Sequence, residues 1–366
     1  RRTYDLVTRA LVERNPVGYR MDFLGAYQPN ASAYLSPEIR KRLRGVGKVG
    51  VSGQPAGTYT RQLLDRLLID LSWNSSRLEG NTYSLLETQR LLEIGETAQG
   101  KGAFEAQMIL NHKAAIELIT GQGEEVCFNR YTICNLHALL SDNLLPDPAA
   151  CGRVRSRGVG ISGTVFQPLE NPHAIDSELN KVLEKASAIE DPFEQAFFVM
   201  VHLPYLQPFE DVNKRVSRLA ANIPLIRHDL CPLSFVDVPQ ADYVSGLIGI
   251  YELNRVDLLR DVFVWAYERS ALRYTAIRQS LGEPDPFRFR HRTQIGTLVQ
   301  EIVQAGLNRK KATDHMRAWA VRNVPPQDQP RFLEVIETEL DSLHEGNFAR
   351  YRIRPSEFDV WNKRWK

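Results

Sequence analysis

Gln207-Pro208-Phe209-Glu210-Asp211-Val212-Asn213-Lys214-Arg215-Val216-Ser217-Arg218 places an amide, an acid and three cations around the start of one helix. Pro208 fixes its own φ and pushes Gln207 to an extended conformation, so a helix cannot run through this point. Beyond it, Val216, Leu219, Ala220 and Ile223 recur at i, i+3, i+4 and i+7, the stripe of an amphipathic helix facing a core. Arg215, Arg218 and Asn222 share another face. A helix beginning near Asp211 or Val212 directs free backbone N–H groups and a positive dipole end outward. Lys214, Arg215 and Arg218 add charge there, so the ensemble suits a polyphosphate. Asp211 could hold a divalent cation bridging phosphates. The plainer alternative is an Asp-capped helix with a solvated basic face.

The chain has 366 residues, more than one typical domain, so a main domain with a smaller companion is expected. There are 46 Lys+Arg against 44 Asp+Glu, a formal net charge of +2, and overall charge therefore names no partner. Residues 287–366 hold 15 Lys+Arg and 10 Asp+Glu, a mild basic skew. Cys127, Cys134, Cys151 and Cys231 form no C-x-x-C pair, and scattered cysteines suit a reducing compartment better than a disulfide framework. There is no apolar run of about 18 residues and no charged-then-apolar leader, so the expectation is a soluble cytoplasmic protein with no membrane partner. The sequence opens at Arg1 rather than Met, which reads as a trimmed start.

Residues 1–58 read as an N-terminal arm of short helices and a loop. Arg40-Lys41-Arg42-Leu43-Arg44 reads as a solvated helix end, and Gly45, Gly47, Gly50 and Gly53 as the loop. From about Tyr59 to Leu78, Leu63, Leu64, Leu67, Leu68 and Leu71 predict a helix that Gly80 and Asn81 end. Another starts at Ser84, with Glu87 completing a capping box. Helices are predicted over 103–120 and 129–142; His137 on the second reads as a packed or hydrogen-bonded residue, having no ligand partner at i+4. Val159, Ile161 and Val165 alternate around Ser162-Gly163, a hairpin signal. Asp191-Pro192-Phe193-Glu194 starts a helix that Pro204 should stop or kink, with His202 on it as a core or cap residue. Pro224 should kink the helix after the opening stretch. Helices over 241–253 and 257–280 precede a linker at Gly282-Glu283-Pro284-Asp285-Pro286. Helices near 292–306, 310–322 and 328–344 make 287–366 a small helical C-terminal domain. Its basic and aromatic end, Arg350-Tyr351-Arg352-Ile353-Arg354 and Trp361 to Lys366, could touch nucleic acid, although no recognition-helix motif is legible.

The opening stretch resembles the core motif of the Fic family, His-Pro-Phe-x-Asp-Gly-Asn-Gly-Arg-x-x-Arg. Pro208, Phe209, Asp211, Asn213, Arg215 and Arg218 match it; Gln207 stands at the histidine, Val212 at the first glycine and Lys214 at the second. Two flanking segments are similar in the same order. Ser75-Ser76-Arg77-Leu78-Glu79-Gly80 fits the family's inhibitory-helix pattern, Ser/Thr-x-x-x-Glu-Gly/Asn, and Gly152-Arg153-Val154-Arg155 with residues 159–166 takes the place of its Gly-x-x-Arg segment and flap. The resemblance covers roughly residues 59–281, with the inhibitory helix at about 59–80. It implies a mainly α, Fic-type helical domain with a small β-hairpin flap, to which the small helical C-terminal domain is appended. It also implies ATP and Mg²⁺ as cofactors, and transfer of AMP to a Ser, Thr or Tyr hydroxyl of a protein target that pairs with the 159–166 flap as an added strand. Carried across, Asp211 would hold Mg²⁺, Asn213 and the amides after it would receive the α- and β-phosphates, and Lys214 would join them. Arg215 would grip the outer phosphates and Phe209 would pack inward as an anchor. Arg218 would bind the γ-phosphate or be held by Glu79, since a carboxylate and a phosphate compete for one guanidinium fork.

Gln207 stands at the catalytic position, yet an amide has no useful basicity near neutral pH. Losing a general base typically costs about 10²–10⁴-fold, so slow transfer with phosphate binding kept is expected. Lys214 has a counterpart in the Doc toxin branch of the family, which phosphorylates its target. Doc-like members carry alanine at the position of Val212, so positive φ is not expected to be required there, while its branched side chain would crowd the α-phosphate. Two function classes follow. One is an enzyme that adenylylates, or phosphorylates, a protein hydroxyl with Glu79 as its brake. The other is a catalytically inactive Fic-fold nucleotide-binding or protein-interaction module, with any nucleic-acid contact confined to 287–366. The target and the oligomeric state are not legible.

Overall fold

The computed structural model describes residues 2–48, 63–121, 125–281 and 285–365. The loop expected at Gly50 and Gly53, the first turn of the 59–78 helix and residues 282–284 of the linker lie outside them. The chain divides into two compact units, Arg1–Ser280 and Leu281–Lys366.

In chain order the first unit carries α1 (Arg2–Val7), β1 (Val17–Gly18), α2 (Met21–Gly25), α3 (Pro37–Gly47), α4 (Leu64–Arg77), α5 (Leu85–Ile94), α6 (Ala103–Gly121) and α7 (Arg130–Ser141). There follow β2 (Phe166–Gln167), α8 (Pro172–Ala188), α9 (Pro192–Leu206), α10 (Asn213–Ala220), α11 (Asn222–Arg227), α12 (Gln240–Leu253) and α13 (Asp257–Leu281). The architecture is mainly α, as the sequence implies.

Helix α9 is the spine of this unit. Asp191 caps it, its Oδ1 accepting from the N–H groups of Phe193 and Glu194 at 3.0 Å each, and Pro192 at the first position has no donor to strand. Every side chain of α9 except Gln195 is buried, the mark of a helix enclosed on all faces. Helices α3, α8, α10, α11 and α12 enclose it. Helix α6 packs on α4 on one side and on α7 on the other, and α7 closes on α10. His202 lies within this core with Nε2 2.8 Å from the Tyr34 hydroxyl, and burial pulls its pKa down to about 3. Pro204 does not stop α9, which runs on to Leu206: only one backbone bond is lost, and the last turn is held by complete burial. The segment after the motif does break, at Ala221, one turn ahead of Pro224.

Two expectations near the chain's start change. Gly45 and Gly47 belong to α3 rather than to a loop. Ser36 Oγ caps that helix by accepting from Ile39 N, and a Cβ at Gly47 would come within 2.1 Å of the Tyr267 hydroxyl, so only glycine fits. Residues ahead of 49 pack into the main core through Leu24, Tyr27, Leu35 and Leu43. The β-hairpin flap at 159–166 is not formed: β2 instead pairs in parallel with β1, Val17 opposite Phe166 and Gly18 opposite Gln167. The physical reason is Glu252 of α12. Its carboxylate accepts from the Thr164 hydroxyl at 2.6 Å, from Val165 N at 3.1 Å and from Arg14 at 2.8 Å, taking donors that a returning strand would use.

The second unit has its own core. It contains α14 (Pro286–Arg290), α15 (Arg292–Gln304), α16 (Arg309–Asn323), α17 (Gln329–Asp341) and α18 (Pro355–Trp365), the last of which the sequence reading does not anticipate. Leu298 and Ile302 of α15, Met316 of α16, Phe332 and Ile336 of α17 and Trp361 of α18 meet at its centre.

Helix α12, which carries Tyr243 and Glu252, crosses α13 at Gly246. A Cβ there would sit 2.9 Å from Leu259 Cα. Gly246→Ala should therefore force the helices apart and lower stability by about 1–3 kcal/mol. Urea unfolding measures this, and an unchanged midpoint would show that the crossing tolerates a methyl group.

Candidate phosphate-binding site

Where α9 ends, the chain reverses. Gln207 has φ 51° and ψ 60°, the left-handed region, rather than the extended conformation expected ahead of Pro208. Proline bars its predecessor mainly from the right-handed helical region, and the left-handed form lets Gln207 N–H close on Leu203 O at 3.1 Å. The loop is then pinned from three sides. Asn213 Nδ2 donates to Gln207 Oε1 at 3.0 Å and Phe209 O at 2.9 Å, and its Oδ1 accepts from Phe209 N at 2.9 Å. Arg155, fully buried, donates from Nε to Gln207 O and from Nη1 to Arg157 O at 2.8 Å, while its backbone N–H bonds Pro208 O at 3.0 Å. His137 stacks on Phe209 with centroids 3.9 Å apart; its Nε2 donates to Asp211 O at 3.1 Å and its Nδ1 accepts from Gly152 N at 2.9 Å. Burial, with the charge of Arg215 nearby, pulls its pKa down to about 4, so the ring is neutral. Phe209 is wholly buried, the inward anchor the motif implies. The Gln207 amide is fully engaged, since Nε2 donates to Pro204 O at 2.8 Å while Oε1 serves Asn213.

Val212 turns the chain again, at φ 70° and ψ 2°. The expectation that positive φ is not required here is overturned: a β-branched residue occupies the left-handed region, and Asp211 Oδ1 holds its N–H at 2.6 Å. Helix α10 starts immediately after, so the N–H groups of Asn213, Lys214 and Arg215 have no acceptor among the described residues.

The solvated basic face is excluded. Arg218 is completely buried and committed: Nε donates to Ser75 Oγ and Nη1 to the Tyr243 hydroxyl, both at 3.0 Å, while Nη2 reaches Ser75 O at 3.0 Å and Glu79 Oε1 at 2.6 Å. Behind it, His112 Nε2 accepts from Ser75 Oγ at 2.8 Å, and its Nδ1 donates to Met108 O at 2.8 Å. Glu79 Oε2 pairs with Lys214 Nζ at 3.0 Å. Burial pushes the Glu79 carboxyl up, but Arg218, Lys214 and Arg215 together outweigh it and hold the pKa at about 2. Arg215 is in a different position. It is 4% exposed, its Nε and Nη1 meet no acceptor, and its Nη2 comes only to 3.9 Å from Asp211 Oδ2.

Asp211 faces outward, its side chain 67% exposed, with Oδ1 engaged and Oδ2 available to a cation. No group of three or more His, Cys, Asp or Glu converges among the described residues, so a divalent ion here would draw its other ligands from water and a bound anion. Gln207, Asp211, Asn213, Lys214, Arg215, Arg218 and Glu79 thus meet in one place. Sequence reasoning reads His137 as packed or hydrogen-bonded, as it is found, but passes over His112 and leaves Arg155 without a role. The local signal for Arg155 is Gly152, at φ 79° with its Cα so close to α7 that a Cβ would stand 3.1 Å from Cys134 O.

Residues 127–225 match the family model described as Fic/DOC family. Among curated proteins, "Protein adenylyltransferase fic-1" of Caenorhabditis elegans is 25% identical over 199 residues, 52% of this chain and 38% of its own length. "Protein adenylyltransferase Fic" of Nematostella vectensis is 27% identical over 202 residues, 53% of this chain and 46% of its own length. The chain therefore spans less than half the length of these two relatives. Among solved structures, Fic-1 of C. elegans aligns with a TM-score of 0.52 at 21% identity, covering 66% of this chain and 69% of that one. A Fic family protein from Desulfovibrio desulfuricans aligns with a TM-score of 0.55 at 20% identity, covering 75% and 82%. These two share its fold. The segment that matches the Fic/DOC family, residues 127–225, contains the loop and α10.

Proposed function

We propose that residues 59–281 act as a Fic-like domain that binds ATP with Mg²⁺, with residues 1–58 as an N-terminal arm and 287–366 as an appended helical domain. The observation that carries this reading is Arg215. A guanidinium almost withdrawn from water with two nitrogens unpaired is costly, and an anion against it removes that cost. The free N–H groups opening α10 lie on the same loop, and helix starts of this kind receive phosphates. Asp211 Oδ2 suits Mg²⁺, which keeps several waters and is commonly held by one carboxylate plus phosphate oxygens. Asn213 acts on the ligand through its backbone amide, because its side chain holds the loop.

The curated relatives bear the name protein adenylyltransferase, which supports AMP as the transferred group and a protein as acceptor; a Ser, Thr or Tyr hydroxyl as the accepting group and residues 159–166 beside the target are part of the proposal. Glu79 is the brake in this reading: it occupies Lys214 and Arg218, the cations a terminal phosphate would use. Transfer is slow because Gln207 stands in place of a base. A second reading, an inactive nucleotide-binding or protein-interaction module, is favoured by that same residue, since it is 8% exposed and its side-chain amide is bonded at both ends. No helix among the described residues is long and apolar enough to cross a membrane, and action in the cytoplasm is part of the proposal.

Arg215→Ala should weaken ATP–Mg²⁺ binding by roughly tenfold or more, the worth of a charged hydrogen-bonding partner, in calorimetry on the full chain; equal affinity would dispose of the phosphate site. Glu79→Gly should raise ATP affinity and self-labelling from labelled ATP. If wild type, Glu79→Gly and Glu79→Gly with Gln207→His all stay unlabelled, the transferase reading falls and the module reading stands. The pH response follows from the Glu79 carboxyl, depressed from 4.5 to about 2. Its stabilisation is complete above about pH 4.5 and is lost only as pH falls toward about 2. Wild-type ATP affinity should therefore not rise between about pH 8 and about pH 5 through release of the brake. A rise in that window that disappears in Glu79→Gly would contradict the assignment.

A further inference from the structure

The second unit carries cations that its own packing does not use. A groove of about 340 Å³ runs along α15, and Arg292, Arg350 and Arg352 line it. Arg350 alone has an acid, its Nη2 lying 3.3 Å from Glu339 Oε2; among the described residues Arg292 and Arg352 face no carboxylate within ion-pair distance. Residues 287–366 as a whole hold 15 Lys+Arg against 10 Asp+Glu. Like charges gathered in a concavity raise the potential there and call for an anion.

The groove is built rather than incidental. Its floor is the α15 face of Thr293, Gly296 and Thr297, one turn apart, and nothing lies within 4 Å of where a Gly296 Cβ would stand. Its far wall is the 3-10 turn Phe348–Tyr351 and the residue after it, Arg352, at φ 54°. Glu339, 3% exposed, clamps that turn by accepting from the Tyr351 hydroxyl and from Arg288 as well as Arg350. The threonine hydroxyls can donate to phosphate oxygens. Beside the groove, Phe289 is 63% exposed and the Arg292 guanidinium lies 4.9 Å over its ring, an aromatic–cation pair next to the charge.

We propose that this groove binds single-stranded nucleic acid, the arginines and threonines following the phosphates and Phe289 with Arg292 stacking a base. A positive channel with an adjoining aromatic platform is the arrangement that sequence-tolerant single-strand binding needs. A duplex reader presents a protruding helix to a groove, whereas here the polar face of α15 is the floor of a hollow. A phosphorylated peptide would use the arginines and leave the aromatic face idle.

The test is fluorescence anisotropy on the full chain with a labelled oligothymidylate of about 20 nucleotides, with excess ATP present to fill any nucleotide site at 207–218. Wild type should bind, with affinity falling as salt rises. Arg292→Ala with Arg352→Ala should weaken binding by roughly tenfold and flatten the log–log salt slope by about 0.7 per arginine removed. Phe289→Ala should weaken binding about fivefold or more while leaving the slope unchanged. All three side chains are exposed, so melting temperature and ATP affinity should hold. Absence of wild-type binding, equal affinity of the double variant, or tighter binding of a matched duplex or a phosphoserine peptide would each overturn the proposal.

Discussion

Between residues 207 and 213 the chain enters the left-handed region twice without a glycine, at Gln207 and at Val212. For a β-branched residue this is strained by about 1–3 kcal/mol, and such strain persists only where the surroundings over-determine it. They do so here through parts brought from distant points of the chain. Arg155 ties two of the loop's carbonyls, the Asn213 amide closes the loop on itself, and Phe209 is fixed beneath the His137 ring. The outcome is a helix start whose free amides and nearby guanidinium share one loop. Everything chemical about the site follows from that turn.

The two arginines of α10 show how burial decides role. Both are withdrawn from water, but Arg218 spends its donors on Ser75, Tyr243 and Glu79, whereas Arg215 keeps two nitrogens unpaired. Glu79 shares its carboxylate between Arg218 and Lys214 and sits within the field of Arg215. A bound phosphate would therefore meet one cation that is available and two that are already answered. Competition of that kind depends on local charge and needs no large rearrangement.

Part of the site was legible because its residues are close in sequence: the turn at Pro208 and the stripe of Val216, Leu219 and Ile223 can be read from spacing, whereas Glu79, just beyond α4, is reached only through the family resemblance. What could not be read depends on partners far along the chain. Glu252 removes the hairpin from 87 residues away, the Tyr267 hydroxyl leaves room only for glycine at position 47, and α4 with α12 covers Arg218, which the solvated-face reading assigns to water. The left-handed Gln207 escapes because proline forbids one region to its predecessor without choosing between the others. Helix α8 is a plain omission, since Asn171 caps it and Ile175, Leu179, Val182 and Ala186 keep helical spacing.

The short ladder joining Val17–Gly18 to Phe166–Gln167 has a consequence for assembly. It closes a circuit of about 150 residues for very few backbone bonds, so nearly all its closure entropy must be met by contacts formed beforehand. Such pairing forms late in folding and opens early under mild denaturant, ahead of the α9 core. Hydrogen exchange should be quick at residues 17–18 and 165–167 while the helix beneath stays protected, so this patch can open without disturbing the core on which it rests.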